Sequence, residues 1–182
     1  MTNIWFIADT HFNHANILTF LNFDDTLVRP DFKDVQDMNE QMIFKWNAIV
    51  KPSDKVYHLG DVALGRREDF HKIMPRLMGK KRLIIGNHDS FQMSDYAPYF
   101  SKIGSWRQFK DMPKRFIACH YPLHESTLTS KKDPVWNVHG HVHGNSVKIK
   151  DTKVNDSRYI NICVEKTNYT PIHIDELMGM MK

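Results

Sequence analysis

Little in this 182-residue sequence points to export, membrane insertion or disulfide stapling. Cysteine is scarce. Cys119 and Cys163 are the only two, too few for a disulfide framework. No uninterrupted apolar run exceeds a few residues, which excludes a membrane-spanning helix. The opening stretch MTNIWFIAD has neither the basic region nor the apolar segment of a signal peptide. Internal repeats, low-complexity tracts and Pro/Gly-rich linkers are also missing. These absences lead us to expect a single domain over residues 1–182, in a reducing cytoplasm and with no membrane partner. Hydrophobic residues at 41% and charged residues at 25% exclude a disordered or fibrous chain.

Histidine, by contrast, is abundant: 11 residues in one small chain. Histidine is a poor core residue and the commonest side-chain ligand for transition metals, so its placement becomes the main question. The net charge of +4, with a pI near 9.0, favours anionic ligands in general. The basic residues are scattered, and the short clusters Arg66-Arg67, Lys80-Lys81-Arg82 and Lys131-Lys132 read as solvated surface. Nucleic acid is therefore not the preferred partner.

Residues 34–50 carry the clearest helical period. Val35, Met38, Met42, Trp46, Ile49 and Val50 recur at three- and four-residue spacing, and Pro52 follows. A second helix is predicted over 67–78, interrupted by Pro75, and a short one over 175–181. Strands are predicted at 4–8, 55–59 and 82–85 in the first half. In the second half they are predicted at 105–110, 115–119, 135–139, 146–150, 158–164 and 171–174. Strand–helix alternation followed by a run of strands implies an α/β or α+β sandwich with mixed sheets.

Five segments share one design, an apolar run ending in metal-ligand chemistry. Ile4–Ala8 leads to Asp9-Thr10-His11, and Val56–Leu59 to Gly60-Asp61. Leu83–Ile85 leads to Gly86-Asn87-His88-Asp89, and Phe116–Cys119 to His120. Val135–Val138 leads to His139-Gly140-His141-Val142-His143. Ligands gather at the carboxyl ends of strands in open α/β sheets. The five ends would deliver Asp9, His11, Asp61, Asn87, His120, His141 and His143 to one place. His141 and His143, two apart in an extended segment, point the same way. A donor set of imidazole and hard oxygen without thiolate suits Mn, Fe, Zn, Co or Ni and argues against a cysteine-built zinc knot. Seven donors exceed the needs of one tetrahedral ion. They fit two divalent ions sharing a carboxylate, a recurrent arrangement for phosphoryl chemistry.

The series Asp9-X-His11, Gly60-Asp61, Gly86-Asn87-His88-Asp89, His120 and Gly140-His141-X-His143 resembles the calcineurin-like metallophosphoesterase superfamily. The resemblance implies a four-layer α/β/β/α sandwich with two mixed β-sheets and a two-metal site at the sheet edges, with Mn the expected ion in vitro. It implies that Asp9, His11 and His143 bind one metal, that Asn87, His120 and His141 bind the other, and that Asp61 bridges. It places His88 against the substrate, stabilising the transition state or protonating the leaving oxygen. Asp89 has two readings, a carboxylate orienting the His88 ring or a turn cap.

Weaker substrate-binding candidates are His14, Arg66, Arg67 and His124. His58 reads as a buried structural histidine, His139 as a structural residue or one that supports the ligands from behind, His71 and His173 as surface or packing residues, and both cysteines as small buried hydrophobes. Phosphoprotein phosphatases of the superfamily carry Asp-Arg-Gly after the bridging Asp and Glu after Asn-His. Here Val62-Ala63-Leu64-Gly65 follows Asp61 and Asp89 follows His88, which disfavours a phosphoprotein substrate. The expected reaction is hydrolysis of a phosphodiester, ahead of a phosphomonoester, on a small substrate such as a nucleotide or cyclic nucleotide. A water activated by the two metals attacks. A nuclease is the alternative, and a non-catalytic scaffold ranks last because every motif position is filled.

Overall fold

The computed structural model describes residues 2–22, 24–129 and 134–182; the Lys131-Lys132 cluster lies outside them. Two β-sheets pack face to face. The first has the order β4-β3-β2-β1-β9 and the second β5-β6-β7-β8. In the first sheet β1 (Ile4–Ile7), β2 (Lys55–His58), β3 (Lys80–Ile84) and β4 (Phe100–Gly104) run parallel, and β9 (Ile172–His173) lies antiparallel to β1. In the second, β6 (Phe116–Cys119), β7 (Trp136–His139) and β8 (Tyr159–Asn161) run parallel, and β5 (Trp106–Phe109) is antiparallel to β6.

Alternating side chains divide the core in two. Ile7, Val56 and Leu83 turn to one face of the first sheet and meet α1 (Val35–Ile49) and α2 (Arg67–Ile73) through Met38, Met42, Trp46, Phe70 and Ile73. Helix α1 begins where Asp34 caps it, its carboxylate accepting from Asp37 N at 2.8 Å. Phe6, Tyr57 and Ile84 turn to the opposite face and pack between the sheets on Phe109, Phe116, Ala118 and Val138. Phe6 stacks on Tyr57 at 5.2 Å, and Phe109 on Phe116 at 4.5 Å, while Phe6 meets both of the latter edge-on. Helix α4 (Ile174–Met180) closes the end of this layer through Leu177, and Met181 just beyond it is also buried.

The mixed two-sheet sandwich agrees with the sequence reading, and most element boundaries fall within two residues. The 67–78 helix splits where Pro75 removes a donor, and a 3-10 turn over Met74–Arg76 continues it. The alternating stretch 146–150 forms no strand but only an isolated bridge, Lys148 to Asn155. Ile149 and Val154 stay exposed there, so there is no core face to bury them. Two short elements escape the pattern: α3 (Met93–Tyr96), and β4, whose polar interior conceals Phe100 and Ile103. Among the described residues no helix is long and apolar enough to cross a membrane.

Phe116, fully buried and in contact with Phe6 and Phe109, is the aromatic hinge of the inter-sheet layer. Phe116→Ala is expected to cost about 3–5 kcal/mol, measured as a lower urea midpoint at unchanged m-value.

Candidate metal centre

Because β1, β2 and β3 run parallel, their carboxyl ends share one edge, and β6, β7 and β8 bring theirs beside it. The loops are stitched together by main-chain bonds. Asp9 N donates to Gly60 O and His11 N to Asp61 O, both at 3.0 Å. To turn the side chains inward the backbone enters the left-handed region at Asp9, His11, Asp61, His141 and His143. Asp and His are among the few non-glycine residues that tolerate it, and such strain concentrates at functional sites. The crossing of loops is close enough to require glycine at 60, 86 and 140, and at two of these a carboxylate fills the space. A Cβ on Gly140 would fall on Asp9 Oδ2, and one on Gly86 on Asp61 Oδ1.

Asp9, His11, Asp61 and His120 are all almost fully buried. Ligand atoms of Asp9, His11 and His143 lie within 4.8 Å of one another, as do those of Asp9, Asp61 and His120. Neither ring nitrogen of His11 has a hydrogen-bond partner, although Nε2 stands 3.5 Å from Asp61 Oδ2 and 3.8 Å from Asp9 Oδ1. Burial pulls the His11 pKa below 6.5 despite Asp9 beside it, so the ring is neutral at pH 7 with a lone pair to give. Burial opposes ionisation of Asp9 as well. The nearby imidazoles of His11, His120 and His143 outweigh it and hold the carboxyl well below its usual range.

His120 is more telling. Its Nδ1–H donates to Leu59 O at 2.7 Å, which in the neutral ring leaves the lone pair on Nε2. Nε2 faces Asn87 Oδ1 at 3.0 Å and Asp61 Oδ2 at 3.5 Å, so one ring nitrogen and two oxygens converge on one point. A divalent cation would take up such converging donors together with the unpartnered His11 nitrogens, and the donor set fits it. The second carboxylate oxygen, Asp61 Oδ1, accepts from His88 N at 2.8 Å.

Three residues absent from the sequence reading of the site support it from behind. Glu165 Oε1 accepts from His143 Nδ1 at 3.0 Å, which leaves Nε2 of that ring free. Arg29, fully buried, donates to Glu165 at 2.9 Å and to the carbonyls of Asp9 (2.6 Å) and Thr10 (2.9 Å), fastening the turned β1 loop. The Cys163 thiol donates to Asp9 Oδ2 at 3.2 Å, a contact beyond the packing role its burial suggested. Glu165 did carry a signal, since it ends the apolar run Ile162–Val164 as the other site residues end theirs. Arg29 carried none.

The remaining candidates divide by position. His88 is exposed, its ring 5.5 Å from that of His11, and His14 lies 5.4 Å from the same ring. His141 sits 5.2 Å from His120. Asp89 does not turn to His88. Its oxygens accept from Gly86 N (2.8 Å), Asp61 N (2.9 Å) and Val62 N (2.9 Å), which is the turn-capping alternative. Arg66 and Arg67 are not drawn into the cluster; they pair with Asp69 and Asp95 at the start of α2. His124 caps the turn Glu125–Leu128, accepting from Ser126 N. His58 is buried on Thr10 Oγ1, with its pKa pushed down to about 3 by burial. His139 is buried within β7, His71 bonds Tyr99, and His173 caps α4.

Comparison with known proteins decides the family. The calcineurin-like phosphoesterase description matches residues 2–177. The chain belongs to this family. It is accordingly a metal-dependent phosphoric ester hydrolase. An uncharacterized protein of Methanocaldococcus jannaschii, MJ1445, is 32% identical over 188 residues, covering 100% of this chain and 93% of the relative. The Gene 66 protein of Mycobacterium phage L5 is 32% identical over 92 residues, 49% of this chain and 41% of the phage protein. The crystal structure of the Aquifex aeolicus protein AQ665 superposes with a TM-score of 0.73 at 28% identity, covering 99% of this chain and all of the other. Divalent metal ions, which the family implies, suit the paired donor groups of this calcineurin-like phosphoesterase.

Glu165→Ala would leave Arg29 charged and unpaired in the interior. A loss of about 3–5 kcal/mol is expected in urea unfolding, with a smaller loss in Glu165→Gln, which keeps an acceptor for His143.

Proposed function

We propose that this phosphoesterase hydrolyses phosphodiesters of small, nucleotide-type substrates, with two divalent ions as cofactors and Mn²⁺ serving in vitro. The observation that carries the reading is the pair of donor groups that share Asp9, one with His11 and His143 and one with Asp61 and His120, around a buried His11 ring that has no hydrogen-bond partner. Asp9, His11 and His143 would hold one ion, and Asn87, His120 and His141 the other. Asp61, between His11 and His120 at 3.5 Å from each, would serve both. Such ions acidify a water and offset the charge that develops on the phosphoryl oxygens.

The chain's own groups do the rest. Leu59 O fixes the His120 tautomer, and Glu165 fixes that of His143. Asp89 holds the Gly86–Asp61 loop crossing in place through three amides, and Asp61 Oδ1 pins the backbone of His88. That leaves the exposed His88 ring beside His11 as the group that meets the leaving oxygen, where a ring N–H donates a proton as the P–O bond breaks. Val62-Ala63 after the bridging Asp61, together with Asp89 used as a cap, supports a small substrate over a phosphoprotein.

The test is turnover by Mn²⁺-loaded protein on an aryl phosphodiester and the matching monoester. The diester is expected to be the better substrate, and preference for the monoester would overturn that choice. Asp61→Asn and His141→Ala are expected to abolish both metal loading and turnover. His88→Ala should keep its metals and lose about 10²–10⁴ in kcat; full activity in that variant would remove His88 from its role.

A further inference from the structure

Exposed aromatic side chains are uncommon enough to be informative when they cluster at a site. Among the described residues four are prominent: Phe20 (47% exposed), Phe44, Trp106 and Tyr121 (42%). Phe44 lies on α1 and Trp106 on β5, whereas the other two stand beside the histidine cluster. Phe20 meets the His14 ring edge-on at 5.5 Å, and His14 leans on His11 at 5.4 Å. Tyr121 meets His141 and His120, each at 4.9 Å. His11 belongs to the donor group of Asp9 and His143, and His120 to that of Asp9 and Asp61. One aromatic ring therefore flanks each half of the centre.

A cavity of about 490 Å³ opens between Phe20 and His143, within the range of small-ligand sites. Leu21 and Phe20 give it apolar walls, and Thr19, Asn22 and Asn145 bring polar groups to its lining, the mixture that suits a flat heterocycle with hydrogen-bonding edges. Edge-on support from His14 and from His120 and His141 leaves each exposed ring held in place while part of its surface stays open for stacking.

From this geometry we propose that the substrate is a dinucleoside phosphodiester, one base stacking on Phe20 and the other on Tyr121, on either side of the reacting phosphate. The proposal rests on the reading of the centre as a phosphodiesterase site and narrows its substrate. A phosphodiester sends two organic arms from phosphorus. A monoester sends one, and a cyclic nucleotide returns both ester oxygens to one sugar bearing a single base. Only the first uses two flanking rings.

The experiment compares Mn²⁺-loaded wild type, Phe20→Ala, Tyr121→Ala and the double variant on adenylyl-adenosine, cyclic AMP and methyl p-nitrophenyl phosphate. Wild type is expected to prefer the dinucleoside. Each single variant is expected to lose roughly 5- to 150-fold in kcat/KM on it, the range that stacking of one base implies, chiefly through KM. The double variant should lose both factors. On the methyl aryl ester, which offers one ring, at most one of the two variants should matter, and Mn²⁺ uptake should match wild type in all. Phe20→Trp and Tyr121→Trp should keep dinucleoside activity. Dinucleoside kcat/KM within twofold of wild type in both alanine variants, or wild-type preference for cyclic AMP, would overturn the two-ring substrate while leaving the phosphodiesterase reading intact. Absence of turnover on all three esters would instead bring down that underlying reading.

Discussion

Two carboxylates, Asp9 and Asp61, are buried side by side among the imidazoles of His11, His120 and His143, and the rest of the molecule is organised around that constraint. Buried anions are tolerated only when paired or bound to cations. The one buried arginine nearby, Arg29, spends its donors on two backbone carbonyls and on Glu165, so it does not neutralise either aspartate side chain. The backbone contorts to make the arrangement. Five of the seven proposed ligands sit in left-handed conformation, and Gly86 and Gly140 permit the close crossings. Stability of the inter-sheet core offsets this strain, which a centre on loops alone would lack.

The two sheets have separate duties in this account. The first delivers Asp9, His11, Asp61 and the Asn87-His88 turn; the second delivers His120, His141, His143 and, one strand later, Glu165. Each half of the donor set draws on both sheets, so the inter-sheet aromatic layer of Phe6, Tyr57, Phe109 and Phe116 sets the spacing of the centre as well as the stability of the fold. Arg29 and Glu165 join the halves from behind, from the turned β1 loop to the His143 ring.

Much of this was legible in the sequence, for a physical reason. A buried strand must be apolar, so a polar residue immediately after it stands out, and that contrast marks Asp9, Asp61, Asn87, His120 and His141 directly. The helix at 35–49 was legible through its period and the Pro52 that follows it, while its Asp34 cap emerged only in the fold. What escaped depends on contacts distant in the chain. Arg29 acts through residues 136 positions away and through main-chain carbonyls, which no local pattern records. Asp89 offered two readings because its own turn and the Asp61 loop compete for it, and only the three amide bonds decide. The stretch 146–150 alternates like a strand but has no sheet edge to join, and alternation alone does not supply one.

Arginines 66 and 67 illustrate the same limit from the other side. Sequence proximity to Asp61 suggested a role toward an anionic substrate, yet Gly65 turns the chain, and Arg66 pairs with Asp69 at the surface while Arg67 pairs with the buried Asp95. On the proposed reading an anionic substrate would be drawn by bound cations and not by these two surface charges. The central claim, that the donor cluster holds a pair of cations, is tested most directly by equilibrium dialysis of the wild-type chain against Mn²⁺. The account predicts that two ions are retained per chain; retention of one ion, or none, would contradict it.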